Sequence, residues 1–176
     1  MKEKIQFSVQ MTVGEVYRFT IYHLYHKFSG IFGICLSLIA FIILLTSFDS
    51  LTDQSRVVLV LVAIWFTILV PIILFFRSRG QVKRNKSYQK PLNYQLDHTG
   101  ITVSQDDVEQ TLAWENLMKI IETKSQFLIY SSSIHAFVFP KKAVREECDA
   151  VREALIHYTE GTKVRFKGIA KRYKQN

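Results

Sequence analysis

The sequence predicts a two-helix transmembrane hairpin joined to a small α+β domain, an antiparallel sheet or partial barrel with one C-terminal helix. Three observations carry this expectation. Two uncharged apolar runs, 28–48 and 57–76, are each about 20 residues long. From Pro91 onward apolar residues recur with period two, as in strands. Val144, Cys148, Val151, Leu155 and Tyr158 then step by four and three, a single helical stripe.

Composition alone hides this arrangement. The chain has 176 residues, 48% apolar and 22% charged, which excludes disordered, collagen-like and coiled-coil classes. Its formal net charge of +8 and pI near 9.5 raise nucleic acid as a partner. Two cysteines, Cys35 and Cys148, supply neither a disulfide framework nor a four-ligand zinc site.

Residues 1–29 read as an N-terminal strand and an amphipathic interfacial helix. Ile5, Phe7 and Val9 alternate with polar neighbours, and Thr12-Val-Gly-Glu15 is a capping box that opens the helix. Tyr17, Tyr22 and Tyr25 have polar tips suited to the headgroup level of a membrane. His23 and His26 are three apart, but no third ligand lies nearby, so they read as interfacial polar groups. Charges run through the first 27 residues, against a cleaved signal peptide.

Residues 30–76 form the hairpin, with spans of about 30–48 and 57–76. At about 1.5 Å per residue each run reaches roughly 30 Å, the thickness of a bilayer's hydrocarbon core. Helices in a soluble core are shorter and carry a polar stripe, which neither run has. Lysine and arginine before the first span and after the second place both termini in the cytoplasm. Gly33 and Ser37 make a small-xxx-small pair, and Pro71 kinks the second helix. Hairpin packing accounts for all three, with a hinge or dimer contact as the alternative. Neither span holds an ionisable residue, which speaks against a channel, pump or transporter.

The juxtamembrane segment 77–90 carries Arg77, Arg79, Lys83, Arg84, Lys86 and Lys90 and no acidic residue. In the domain, 91–160, strands are expected around 92–96, 101–103, 108–114, 118–123, 126–130 and 134–139, ahead of the helix that Gly161 ends. That order is the pattern of a PH-like barrel. The tail, 161–176, is basic again through Lys163, Arg165, Lys167, Lys171, Arg172 and Lys174. Both basic segments are candidates for facing anionic lipid headgroups. Topology determination remains the alternative for the first, and a solvated extension for the second.

Tyr22-His-Leu-Tyr-His26, Thr99-Gly-Ile101, Trp114 with Ile120-Ile-Glu-Thr-Lys124, and Phe139-Pro-Lys-Lys142 carry a resemblance. The order of parts is similar to the YcxB-like family of bacterial membrane proteins. The resemblance implies a bacterial inner membrane, a PH-like C-terminal domain, and a first strand that completes the C-terminal sheet. It supplies no catalytic residues.

No zinc-hydrolase, P-loop, dinucleotide or nucleophile-elbow motif occurs, so no catalytic residue, metal or cofactor is expected. Asp106 and Asp107 are turn residues; His98 and His135 are isolated in strands. Glu146, Glu147, Asp149 and Glu153, with Arg145 and Arg152 interleaved, read as the solvent face of the last helix. Residues 91–160 hold six basic and eleven acidic side chains, which disfavours nucleic acid. The turn His98-Thr99-Gly100 lacks the basic residues of a phosphoinositide site. The leading expectation is a non-enzymatic membrane protein whose domain binds a protein or peptide at the cytoplasmic surface. Self-immunity against a membrane-active peptide (a bacteriocin) comes second and a membrane enzyme third. Homo-oligomerisation stays open.

Overall fold

A computed structural model of the protein describes residues 4–133 and 135–169, the side chain of Glu146 excepted. Lys171, Arg172 and Lys174 lie outside the described residues, as does Ile134. The chain forms two compact units. One is the chain up to Met11 together with the chain from Asn85 onward, and the other is Thr12–Arg84.

The first unit is built of two four-stranded sheets. β1 (Ile5–Val9), β2 (Leu92–Asp97), β3 (Gly100–Gln105) and β4 (Val108–Leu112) pair in that order, all antiparallel. The strand ahead of the hairpin thus joins the sheet behind it, in the register Ile5↔Leu96, Phe7↔Tyr94 and Val9↔Leu92. That register places the apolar set of β1 opposite the apolar set of β2, and a slip by one residue would turn either set to the wrong face. The second sheet runs β7 (Ala136–Pro140), β6 (Gln126–Tyr130), β5 (Lys119–Glu122) and β8 (Arg165–Gly168). β6 reads QFLIY and is buried at every position, as a central strand covered on both faces must be.

The sheets meet through aromatic rings. Phe139 lies 4.9 Å from Phe7 and 4.7 Å from Tyr94, both edge-on. Such pairs add about 0.5–1.5 kcal/mol each beyond the area they bury. A short helix α5 (Lys86–Gln89) precedes β2, and α6 (Cys148–Tyr158) follows a 3-10 turn at Arg145–Glu147. Trp114 stacks on Tyr158 of α6 at 5.2 Å and donates its indole N–H to the Asp97 carbonyl at 2.8 Å.

Three expectations change here. Arg165–Gly168, read from sequence as part of a basic tail, is strand β8, running parallel to β5 with Phe166 buried. Arg152 is no surface charge; it is buried against β5. His98 sits in the β2–β3 turn and His135 in the loop before β7, rather than in strands.

In the second unit, Thr12 caps α1 (Val13–Tyr25) by accepting from the Glu15 N–H. α2 (Phe28–Ser47) runs into a 3-10 turn, Phe48–Ser50. α3 (Asp53–Ile64) continues through a π-helical turn, Trp65–Leu69, into α4 (Val70–Arg84). The helices over Phe28–Ser50 and Asp53–Arg84 have mean hydropathy windows of 2.7 and 3.1, of which only 22% and 6% is buried. They are long and apolar enough to cross a membrane, and they leave that apolar surface uncovered, unlike the core helix of a soluble protein.

The π turn is the local answer to Pro71. Proline has no N–H and its ring crowds the carbonyl four residues back, so the helix widens just before it. Val70 N–H reaches the Trp65 carbonyl, five residues back. The Phe66 carbonyl thereby loses its usual donor, and the next residue able to serve is Pro71. The Tyr25 hydroxyl fills the gap, donating to the Phe66 carbonyl at 3.0 Å.

Candidate functional site

Each residue singled out from sequence that lies within the described residues has a place. In the hairpin, a Cβ built on Gly33 would lie under 3.0 Å from the Phe66 ring, so only glycine admits that helix approach. Ser37, one turn on, is buried and donates to the Val62 carbonyl at 2.9 Å. Tyr17 meets Phe75 edge-on at 5.7 Å, and Tyr22 stacks on His26 at 3.8 Å. All three tyrosines therefore make intramolecular contacts as well as carrying a polar tip.

The basic residues are exposed. Arg77 and Arg84 lie seven apart on one side of α4, with Arg79 and Lys83 on another, so they encircle the helix end instead of forming a stripe. Lys86 follows on α5, and Lys90 is paired with Asp106 at 2.7 Å. On β8, Arg165 and Lys167 are exposed and Phe166 is buried between them; just ahead of the strand Lys163 is exposed and Val164 buried. The parallel register sets Arg165 beside Lys119 of β5, a residue the sequence reading did not select. Its signal was unreadable before β8 was known to be a strand.

Cavities open on the sheet domain among the described residues. One of about 440 Å³ lies over the polar face of the first sheet, against Gln6, Asn93, Gln95, Thr102, Ser104 and Glu109. Another, about 420 Å³, lies between β4 and β7, bounded by Gln110, Thr111, Leu112, Ser131, His135 and Phe137. These are the outer strands of their sheets, and β4 has exposed side chains from Val108 to Thr111. A polar strand of that kind marks a sheet edge.

Beneath α6 lies a buried charge cluster. The Glu122 side chain is fully buried and receives Arg152 Nε at 2.9 Å, Arg152 Nη2 at 2.8 Å and Lys141 Nζ at 2.6 Å. Arg152 also pairs with Asp149. Burial pushes the Glu122 carboxyl up, but the bonds and charges of Arg152 and Lys141 outweigh it and hold the group below the usual range. At the β2–β3 turn, burial likewise opposes ionisation of Asp97, yet bonds from Thr99, Gln95 and the Gly100 backbone bring it down to about 2. Among the described residues no group of three or more His, Cys, Asp or Glu is arranged to hold a metal ion.

Three of the residues that carried the family resemblance gather at α6: Trp114 stacks on Tyr158, and Glu122, held by Lys141, receives Arg152. A family model described as YcxB-like protein matches residues 96–155, from β2 to α6. A curated relative, the uncharacterized protein YcxB of Bacillus subtilis (strain 168), is 23% identical over 116 residues, 65% of this chain. The chain spans 63% of that relative's length. No solved structure matches the chain. The matched stretch and the relative agree in pointing the same way: over residues 96–155 the chain is similar to the YcxB-like family.

Proposed function

We propose that this protein is a bacterial inner-membrane protein whose hairpin crosses the bilayer and returns, displaying a PH-like domain that binds a protein or peptide at the cytoplasmic surface. The observation that carries this reading is the pairing of β1 with β2. These strands flank the hairpin in sequence and are neighbours in one sheet, and a sheet cannot straddle a bilayer. In this reading both ends of the hairpin face the same compartment, and the ring of arginine and lysine on α4 favours the cytoplasm.

The domain acts by binding, not catalysis. Its buried charges are spent on one another around Glu122, while its cavities present mainly uncharged hydrogen-bonding groups, with Glu109 and His135 at their walls, and open strand edges. The cleft beside β4 suits an extended peptide, which adds to the free edge and seats side chains near Leu112 and Phe137.

Cysteine accessibility tests the topology. In a chain cleared of Cys35 and Cys148, a cysteine at Ser50 should label from outside intact cells, and one at Asp107 only after permeabilisation. Equal labelling of both sites in intact cells would sink the spanning reading. A photoreactive residue at Gln110 should capture a partner that the same residue at Glu153 does not; equal capture would remove the cleft from the proposal.

A further inference from the structure

We propose that Lys119 of β5, Arg165 and Lys167 of β8, and Lys163 just ahead of it form one cationic face that docks the domain on an anionic lipid leaflet. The inference rests on the reading that the hairpin lies in a bilayer. It begins with β8 itself. Alternation along this edge strand puts Arg165 and Lys167 on its exposed side while Phe166 anchors the other, and just ahead of it Lys163 is exposed and Val164 buried. Parallel pairing then brings Lys119 level with Arg165, and Ile121 level with Lys167. Three cations from two strands thus share one surface, with Lys163 just ahead of β8.

Among the described residues nothing on the domain neutralises them. None of the four takes part in an ion pair among the described residues, and no acidic residue occurs from 161 to 169. The Lys119 ammonium lies 4.2 Å from the Tyr130 ring centre. Burial, and then repulsion from Lys167 and Arg165, pull it below the usual lysine range. An anion at this surface relieves that repulsion.

The chemistry favours a leaflet. The rest of the domain is acidic, so an anionic membrane attracts this face and repels the others, which fixes an orientation as well as an affinity. The domain is also confined near the bilayer by short links, from Val9 to Val13 and from Arg84 to Leu92. At most about 3.5 Å per residue, the longer of these reaches under 30 Å. Met118, just ahead of Lys119 and with its carbonyl accepting from the Arg165 N–H, is one of two large apolar residues exposed in this unit among the described residues, at 49%; Val108 is the other. An exposed apolar residue at the end of a strand that carries cations suits the headgroup boundary.

The test uses the full chain in nanodiscs, with a photoreactive residue replacing Met118 and, as a control, Val108. Discs contain phosphatidylcholine alone or mixed with phosphatidylglycerol. A phosphatidylglycerol adduct at 118, absent in phosphatidylcholine discs and weaker at 108, is the expected result. K119Q/R165Q/K167Q should slow adduct formation about fivefold per charge, on the order of 100-fold in all. Salt at about 1 M, where the Debye length is about 3 Å, should act likewise. K119R/K167R should retain the adduct, and an unchanged thermal melt of the glutamine variant shows that the fold survives. Equal adduct yields in both lipids, or no effect of the three charges, overturn the proposal while leaving the hairpin reading intact. An oligonucleotide that crosslinks at 118 in preference to lipid assigns the face to nucleic acid and also overturns it. A chain that fails to insert into discs overturns both readings.

Discussion

Replacing Arg152 with methionine should be among the most damaging single changes available in the sheet domain. The Glu122 side chain is fully buried and the Arg152 side chain is 10% exposed, and two hydrogen bonds of 2.8 and 2.9 Å join them. Methionine keeps most of the packing but leaves the carboxylate with Lys141 alone. Breaking a buried pair from one side costs about 3–5 kcal/mol, because the remaining charge has lost its solvation and its partner. For a domain of this size, about 4–8 °C of melting temperature per kcal/mol gives a fall of at least about 12 °C. Thermal unfolding of the full chain in detergent, followed by the near-ultraviolet signal of the Trp114–Tyr158 stack, reads it directly. The Glu122→Gln/Arg152→Met double variant should recover most of the loss. Asp149→Ala should cost under about 1 kcal/mol, since Asp149 is 84% exposed. The pH dependence has a definite sign. The folded-state pKa of Glu122 is depressed, so its stabilisation is complete above the unfolded value of about 4.3 and fades as pH falls through the lower, folded value. Glu122→Gln should flatten that acid limb. A shift under about 3 °C for Arg152→Met would refute the reasoning and reduce the cluster to a solvated ion pair.

Val9 and Leu92 are cross-strand partners, so a two-residue Asn-Gly turn in place of residues 10–91 should close β1 and β2 into an ordinary hairpin. The product should be a water-soluble domain with dispersed amide resonances; an aggregated or undispersed product would show that the sheets need the helices. Tyr25→Phe should destabilise the helical unit by about 0.6–1.7 kcal/mol in micelle unfolding, and the cost should vanish in a Pro71→Ala background, where an N–H returns at 71. An equal cost in both backgrounds would separate the tyrosine from the π turn. Gly33→Leu should loosen the α2–α3 contact and raise protease sensitivity, whereas Gly80→Leu, with nothing within 4 Å of the added carbon, should not.

What could be read along the chain is what depends on neighbours in sequence. Hydrophobicity summed over about 20 residues exposed the two apolar helices, and period-two alternation located β2, β3, β6 and β7 to within a residue or two. The helical stripe from Val144 to Tyr158 anticipated α6, although its first turn is a 3-10 turn. Pro71 announced a disturbed helix turn because its missing N–H is a property of the residue itself.

Partnership could not be read in this way. β1 looked like a strand, but the sheet that receives it lies more than 80 residues away, and only the likeness to a family suggested that destination. Phe166 was visible among the tail's basic residues, yet whether it is buried depends on β5 offering a free edge for β8. Arg152 has the spacing of a surface charge on an amphipathic helix. Its burial is decided by Glu122, thirty residues earlier, arriving beneath α6. Local patterns determined which segments become strands and helices, because backbone hydrogen bonding and side-chain periodicity act over a few residues. Only the tertiary structure decided which charges are buried in pairs and which stand unneutralised on a surface, because electrostatic energy depends on distances in space that the order of residues does not specify.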